Sequence, residues 1–161
     1  PLAFHGQVEM DKPDPAVVAA DMEQRGDMFE EGVFNDQQIE ERWAMLAGKY
    51  AETYAKLLEN VDVTKLEITG SDEWLYTEFR ALFPDLRVDI LDMHSLKTEE
   101  NKAKWRPFLD GLKGKVAQHD TGALVRVFAK GRSDVGNLEL VPRGQFYCIE
   151  VARIKEGVYT K

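Results

Sequence analysis

The sequence predicts a mainly α, α+β fold: a single-domain helical bundle carrying one small antiparallel β-hairpin. Three observations lead there. Apolar residues recur at helical spacing over long stretches, and Ile39, Trp43, Leu46, Tyr50, Tyr54 and Leu57 form the clearest continuous face. Two β-type runs, ALVRVFAK and NLELV, flank a turn-rich loop at 131–136. A chain of 161 residues, 43% of them hydrophobic, is long enough to bury one substantial core.

The stretch VPRGQFYCIEVARIKEG (141–157) organises the rest, because it joins the second β-type run to an apolar-striped helix. Pro142 stands where a helix starts and Gly157 where one stops. Phe146, Ile149, Val151, Ala152 and Ile154 supply a buried stripe with Tyr147 beside it, and Arg143, Glu150 and Arg153 fall toward another face.

In chain order, residues 1–13 are expected to form a loose acidic segment, 14–157 one globular domain and 158–161 a C-terminal tail. Asp14 as a cap and Pro15 at the first helical position predict a short helix over 14–26, followed by an apolar patch of Met28, Phe29, Val33 and Phe34. Asn35 caps the strongest helix, over 36–59, whose aromatic stripe reads as core rather than as a stacking platform for a ligand. Leu66 and Ile68 alternate as a short extended piece. Ser71 caps a helix with Leu75, Phe79 and Leu82 on its apolar face, and Phe83-Pro84 ends it. Leu86, Val88 and Ile90 alternate as a short strand or extended link. Thr98 opens a further helix with Trp105, Phe108, Leu109, Leu112 and Val116 on one face, and Pro107 predicts a kink or a break near Trp105.

Composition narrows the chemistry. With 21 basic against 29 acidic side chains the net charge is −8, which opposes binding to nucleic acid and favours basic partners or plain solubility. Cys148 is the sole cysteine, so neither an intramolecular disulfide nor a cysteine-rich zinc site is available, which suits a reducing compartment. Within a helix it reads as a small core residue rather than a nucleophile. No apolar run reaches the roughly 20 residues of a membrane helix, and the N-terminal PLAFHGQVEM does not read as a secretory leader. His5, His94 and His119 are scattered, Asp85, Asp89 and Asp92 lie on an extended pattern that separates them, and no phosphate-binding glycine loop or nucleophile elbow occurs. No catalytic set, cofactor site or metal site is therefore expected. Arginine with aromatics is the more informative set: Arg106 beside Trp105 and Phe108, Arg126 in the first hairpin strand, Arg143 and Arg153 on the last helix. Such arginines either anchor a carboxylate-bearing partner or pair with the chain's own carboxylates, stitching helix to hairpin.

The pieces FPDLRVDILD (83–92), KWRPF (104–108), GALVRV (122–127) and VPRGQFYCIEVARIKEG (141–157) resemble the ordered motifs of the eukaryotic polysaccharide-biosynthesis-domain-containing protein family. The likeness spans 36–157, and the last motif is the most specific. Where the family's pattern reads aromatic-Asn-Phe-Gly-Thr-Leu-Leu-Arg, Gly122, Leu124 and Arg126 match but the aromatic pair is replaced at His119–Thr121. The resemblance implies a small cytoplasmic, mainly helical protein with a chaperone-like role, binding the nascent GTPase domain of translation elongation factor 1-alpha, and a monomer is expected. It makes Arg106, Arg126, Arg143, Gln145 and Arg153 the expected partner contacts. The family's name also implies an alternative, a transferase in polysaccharide biosynthesis with the same arginines on a sugar-nucleotide phosphate. An arginine-lined deep pocket would favour the transferase, and a shallow patch the client-binding protein.

Overall fold

The computed structural model describes residues 36–116, 119 and 121–160, with side chains from residue 41 onward. The helix expected over 14–26, the apolar patch after it and the acidic segment 1–13 lie outside these residues. The described chain runs α1 (Asp36–Asn60), α2 (Asp72–Leu82), α3 (Met93–Leu96), α4 (Glu99–Asp110), β1 (Gly122–Arg126), β2 (Leu138–Pro142) and α5 (Arg143–Lys155), with 3-10 turns at Val63–Lys65, Val135–Asn137 and Val158–Thr160. It is a mainly helical α+β fold with one two-stranded antiparallel sheet, as the periodicities require.

The aromatic stripe of α1 is core. Tyr50, Tyr54 and Leu57 are buried, and the two tyrosine rings meet Phe146 of α5 edge-on at 6.1 and 5.6 Å. Trp43, on the same face, lies against β1. A Cβ added to Gly122 would come 2.6 Å from Cζ2 of Trp43 and 3.0 Å from Cδ1 of Leu140, so glycine is what lets helix and strand approach here.

The cap of α2 differs from its expected chemistry. Ser71 occupies the cap position without a side-chain hydrogen bond. The carboxylate of Asp72 instead turns back and accepts from the amides of Ile68 (2.9 Å) and Thr69 (2.8 Å) and from the Thr69 hydroxyl (2.5 Å). Those bonds hold the extended piece before α2, whose alternation stands: Leu66 and Ile68 are buried. The second extended piece, 86–91, joins the hairpin through a single bridge, Ile90 opposite Phe128, with Leu91 N–H donating to Val127 O and Ala129 N–H to Asp89 O, both at 2.9 Å. Its alternation holds at Val88 and then slips. Leu91 takes the inner place and Ile90 is 36% exposed, because the chain turns into α3 directly after the bridge.

Helix α3, unexpected from periodicity because it is one turn long, is capped by Asp92, whose carboxylate accepts the Ser95 N–H at 3.1 Å. Thr98 caps α4 as expected, its hydroxyl accepting the Asn101 N–H at 3.2 Å. Pro107 does not break α4, which runs as one helix to Asp110. Pro107 and Ala103 are both exposed, so solvent satisfies the carbonyl that the missing N–H leaves free. Leu112 and Val116 reach the core from the turns after α4 rather than from its own face, with Gly114 at φ +83 making the reversal.

In the hairpin Gly122 pairs with Pro142, Leu124 with Leu140 and Arg126 with Leu138. Ala123 and Val125 face inward. Asn137 clamps the connecting loop by accepting the Phe128 N–H (2.8 Å) and donating to the carbonyls of Phe128 and Arg132 (both 3.0 Å). Helix α5 then passes through the middle of the molecule. All its residues except Gln145, Ile154 and Lys155 are buried, because α1, α2, the hairpin and two 3-10 turns surround it. The exposed polar face expected for Arg143, Glu150 and Arg153 is therefore absent. Residues 158–160, expected as tail, fold back as a 3-10 turn after Gly157, which sits at φ +74.

Gly144 is the tightest point of α5. A Cβ there would lie 2.7 Å from Leu109 Cδ2, 2.8 Å from Leu112 Cδ1 and 3.3 Å from the His119 carbonyl oxygen. Gly144→Ala is expected to destabilise the fold by about 1–3 kcal/mol through overpacking. Gly70→Ala, where nothing stands within 4 Å, serves as the control. Urea unfolding of the two variants checks this, and equal midpoints would contradict it.

Candidate partner-binding surface

The side chains singled out by sequence do not share one place. Arg153 is fully buried. Its NH1 donates to Glu150 Oε2 at 2.8 Å, its Nε to Val88 O at 2.6 Å, and its NH2 to the carbonyls of Arg126 (2.7 Å) and Val127 (3.3 Å). Glu150, also buried, accepts the Tyr54 hydroxyl at 3.0 Å and the Tyr159 hydroxyl at 2.5 Å. Arg143 is buried as well, with Nε on Thr121 Oγ1 at 3.1 Å and its guanidinium 5.0 Å from the Tyr50 ring centre. Arg126, half-buried, donates to Gly131 O (3.1 Å) and Tyr159 Oη (3.2 Å). Of the three, Arg153 pairs with one of the chain's own carboxylates, Glu150, while Arg143 and Arg126 stitch the fold through hydroxyls, carbonyls and a ring instead. The expectation of a surface contact is corrected for Arg153 and Arg143, whose side chains offer no surface because the fold uses them inside.

Arg106 and Gln145 are different. One comes from α4 and the other from the first turn of α5, and they line the same groove of about 230 Å³ between α4 and the β2–α5 junction. Its walls are apolar: Trp105, Leu109, Leu140 and Pro142. Leu140 is 52% exposed although large and apolar. Lys97 and Lys102 join Arg106 on the lining, which among the described residues includes no carboxylate. Behind the groove the Trp105 ring stacks on Phe83 at 4.6 Å and Phe79 at 5.7 Å, while its indole N–H has no hydrogen-bond partner. Trp105 is thus held by apolar packing, rings included, rather than by a hydrogen bond.

A larger groove of about 730 Å³ lies between the 86–90 segment and the 128–131 loop, with Phe128 53% exposed. Its two arginines are already engaged at two points each: Arg80 on Glu156 (2.7 and 2.7 Å) and Arg87 on Asp89 (2.8 and 3.1 Å). Two of the aspartates that the extended pattern separates are apart in role as well, Asp89 paired with Arg87 and Asp92 capping α3. No group of three or more potential ligands is gathered for a metal among the described residues.

Sequence reasoning missed Lys97, Lys102 and Leu140 at the small groove and Tyr54 and Tyr159 at the buried pair. Leu140 had a signal: in NLELV both Leu140 and Val141 are apolar, so one of them must face outward from a strand. The lysines had none, since they look like any solvated helix face.

Fold and surface together define a small α+β domain, with its buried charges committed to structure and an apolar groove on its outside. The sequence model of the family described as PBDC1 protein matches residues 39–161, and the chain belongs to this family. It is 43% identical over 123 residues to Protein PBDC1 of Mus musculus, covering 76% of this chain and 62% of that protein. The human protein of the same name is equally similar, with 53% of its length covered, so the chain spans little more than half of these mammalian relatives. A homologue from Saccharomyces cerevisiae is 36% identical, covering 77% of this chain and 88% of that one. A solution NMR structure of a protein from Saccharomyces cerevisiae superposes with a TM-score of 0.70 at 36% identity, over 78% of this chain and 88% of that one. Among the described residues no helix is long and apolar enough to cross a membrane.

Two outcomes follow from the buried groups. Arg153→Met leaves Glu150 buried without its cation and should destabilise the protein by about 3–5 kcal/mol. Glu150→Gln keeps an acceptor for the tyrosines but leaves the buried Arg153 guanidinium without its counter-ion, so it should cost about as much, ~3–5 kcal/mol. Chemical denaturation decides, and a loss below about 1 kcal/mol in either variant would refute the assignment. Burial pushes the Cys148 thiol above its ordinary 9.0. Burial, then the neighbouring Glu150, pushes the Tyr54 and Tyr159 hydroxyls above their ordinary 10.0. The folded values are raised, so this contribution to stability is complete below the unfolded values and is lost as pH climbs past them. Stability should fall above pH 9.0, by about 1.4 kcal/mol per pH unit for each group that ionises only when unfolded. An alkaline series of unfolding curves with a flat profile would mean that these groups ionise in the folded protein.

Proposed function

We propose that this protein is a cytoplasmic, non-enzymatic, monomeric client-binding protein that holds the nascent GTPase domain of translation elongation factor 1-alpha, with the groove at α4 and α5 as part of the contact surface. The observation that carries the reading is the meeting of Arg106 and Gln145. They belong to two separate motifs of the resemblance, and they line one groove with apolar walls and an exposed leucine. The net charge of −8 supports it further, since an acidic body attracts a basic client.

The transferase alternative draws less support. It needs free guanidinium groups for a phosphate, and those of Arg126, Arg143 and Arg153 already donate within the fold. The small groove, at about 230 Å³, is below the ~300–1,000 Å³ usual for a small-molecule site. In the larger one a phosphate would have to displace Glu156 or Asp89 from its arginine.

The test is capture of nascent chains from a eukaryotic translation extract by wild type and by an Arg106→Glu/Leu140→Asp variant, each first checked for an unchanged thermal transition. Wild type should enrich nascent elongation factor, and the variant should capture about tenfold less or lower still. Capture unaffected by the variant would remove the groove from the contact surface. Retention of a sugar nucleotide by wild type, with no client, would overturn the reading in favour of the transferase.

A further inference from the structure

The groove at α4 and α5 carries a charge opposite to that of the protein. Among the described residues Lys97, Lys102 and Arg106 line it and no carboxylate does, on a chain with a net charge of −8. Lys102 has one weak counter-ion, Glu99 at 3.8 Å, which is itself 85% exposed. The floor is apolar, and the volume of about 230 Å³ suits a few side chains rather than a cofactor.

From this juxtaposition of cationic rim and apolar floor we infer that the groove receives a short segment of a partner protein in which large apolar residues are flanked by Asp or Glu. The apolar anchors cover Leu140, Pro142 and Leu109, while the carboxylates meet Lys97, Lys102 and Arg106. The Gln145 side chain, at the first turn of α5, supplies an amide that both donates and accepts toward the segment's backbone. A basic segment is rejected by the same three cations. The inference rests on reading the groove as a protein contact and adds the chemistry of what enters it.

The experiment titrates the full chain into two fluorescein-labelled peptides that share Leu and Phe anchors, one flanked by Asp and Glu and the other by Lys, and reads anisotropy at low and high salt. The acidic peptide should bind about tenfold or more tightly than its basic twin, and salt should weaken it. Lys97→Glu/Lys102→Glu/Arg106→Glu should abolish the preference, while Lys56→Glu on α1, outside the groove, should leave it unchanged. Equal binding of the twins, a preference for the basic one, or an acidic preference that survives the triple substitution would overturn the inference. A full chain with Glu23→Gln, Asp27→Asn, Glu30→Gln and Glu31→Gln is the last arm. Binding seen only in that variant would mean that the chain's own carboxylates at 23–31 occupy the groove, which overturns assignment to a partner. Loss of the peptide preference with capture of nascent elongation factor intact would sink this inference and leave the client reading standing.

Discussion

A buried arginine and glutamate one turn apart on α5 hold the molecule in register. Arg153 gives hydrogen bonds to carbonyls of Val88, Arg126 and Val127, which belong to two segments joined to each other by a single bridge. Glu150 receives hydroxyls from α1 and from the C-terminal turn. Taking the two ions out of water costs several kcal/mol each, and an apolar pair of equal volume would avoid that. It would also take from the Val88 and Arg126 carbonyls and the Tyr54 hydroxyl the partners that Arg153 and Glu150 supply, while Val127 O would keep the Leu91 N–H and Tyr159 Oη the Arg126 guanidinium. The pair therefore acts mainly by placement. A planar guanidinium reaches the 88 and 126–127 segments and Glu150 at once, which a lysine at the same position has no geometry to do.

The outer groove inherits that placement. Helix α5 begins where β2 ends, and its first amides bond back across the turn: Arg143 N–H to Thr121 O at 2.6 Å and Gly144 N–H to His119 O at 2.8 Å. Gly144 then lets Leu109 and Leu112 close against the helix. One wall of the groove is thus fixed to the central helix and the other to α4, itself backed by the Phe79, Phe83 and Trp105 rings. A surface built on such elements changes little on binding, so its charge and shape read directly as preference.

Periodicity and caps carried most of the fold. The α1 stripe, the Thr98 cap of α4, the hairpin and the limits of α5 follow from spacing and from Pro and Gly punctuation, because each is a local property. The inside of α5 was not legible by the same rule. Arg143, Glu150 and Arg153 recur at seven and three residues, the pattern of a solvated face, and a helix covered on every side turns such a face into an internal one. A trace of this is present in CIEVA, where apolar residues on both sides of Glu150 leave little room for a wide polar stripe. Resemblance named Arg106 and Gln145 without placing them side by side. Their meeting depends on tertiary packing between motifs, which no spacing within either motif encodes.

Net charge and local charge point in opposite directions, and the contrast has a physical use. At a distance beyond about 8 Å, the screening length at physiological salt, an acidic peptide meets little of the rim and mostly the field of a −8 body. A basic domain is drawn in by that same field. On the readings proposed, a client that is basic as a whole yet carries one acid-flanked apolar segment satisfies both terms: its bulk accelerates encounter, and its segment sets the register once Lys97, Lys102 and Arg106 are within reach. A uniformly basic protein would gain the first term and lose the second. Discrimination among basic proteins then resides in a groove of the minority sign, where a like charge is penalised in surroundings that apolar walls keep partly dry.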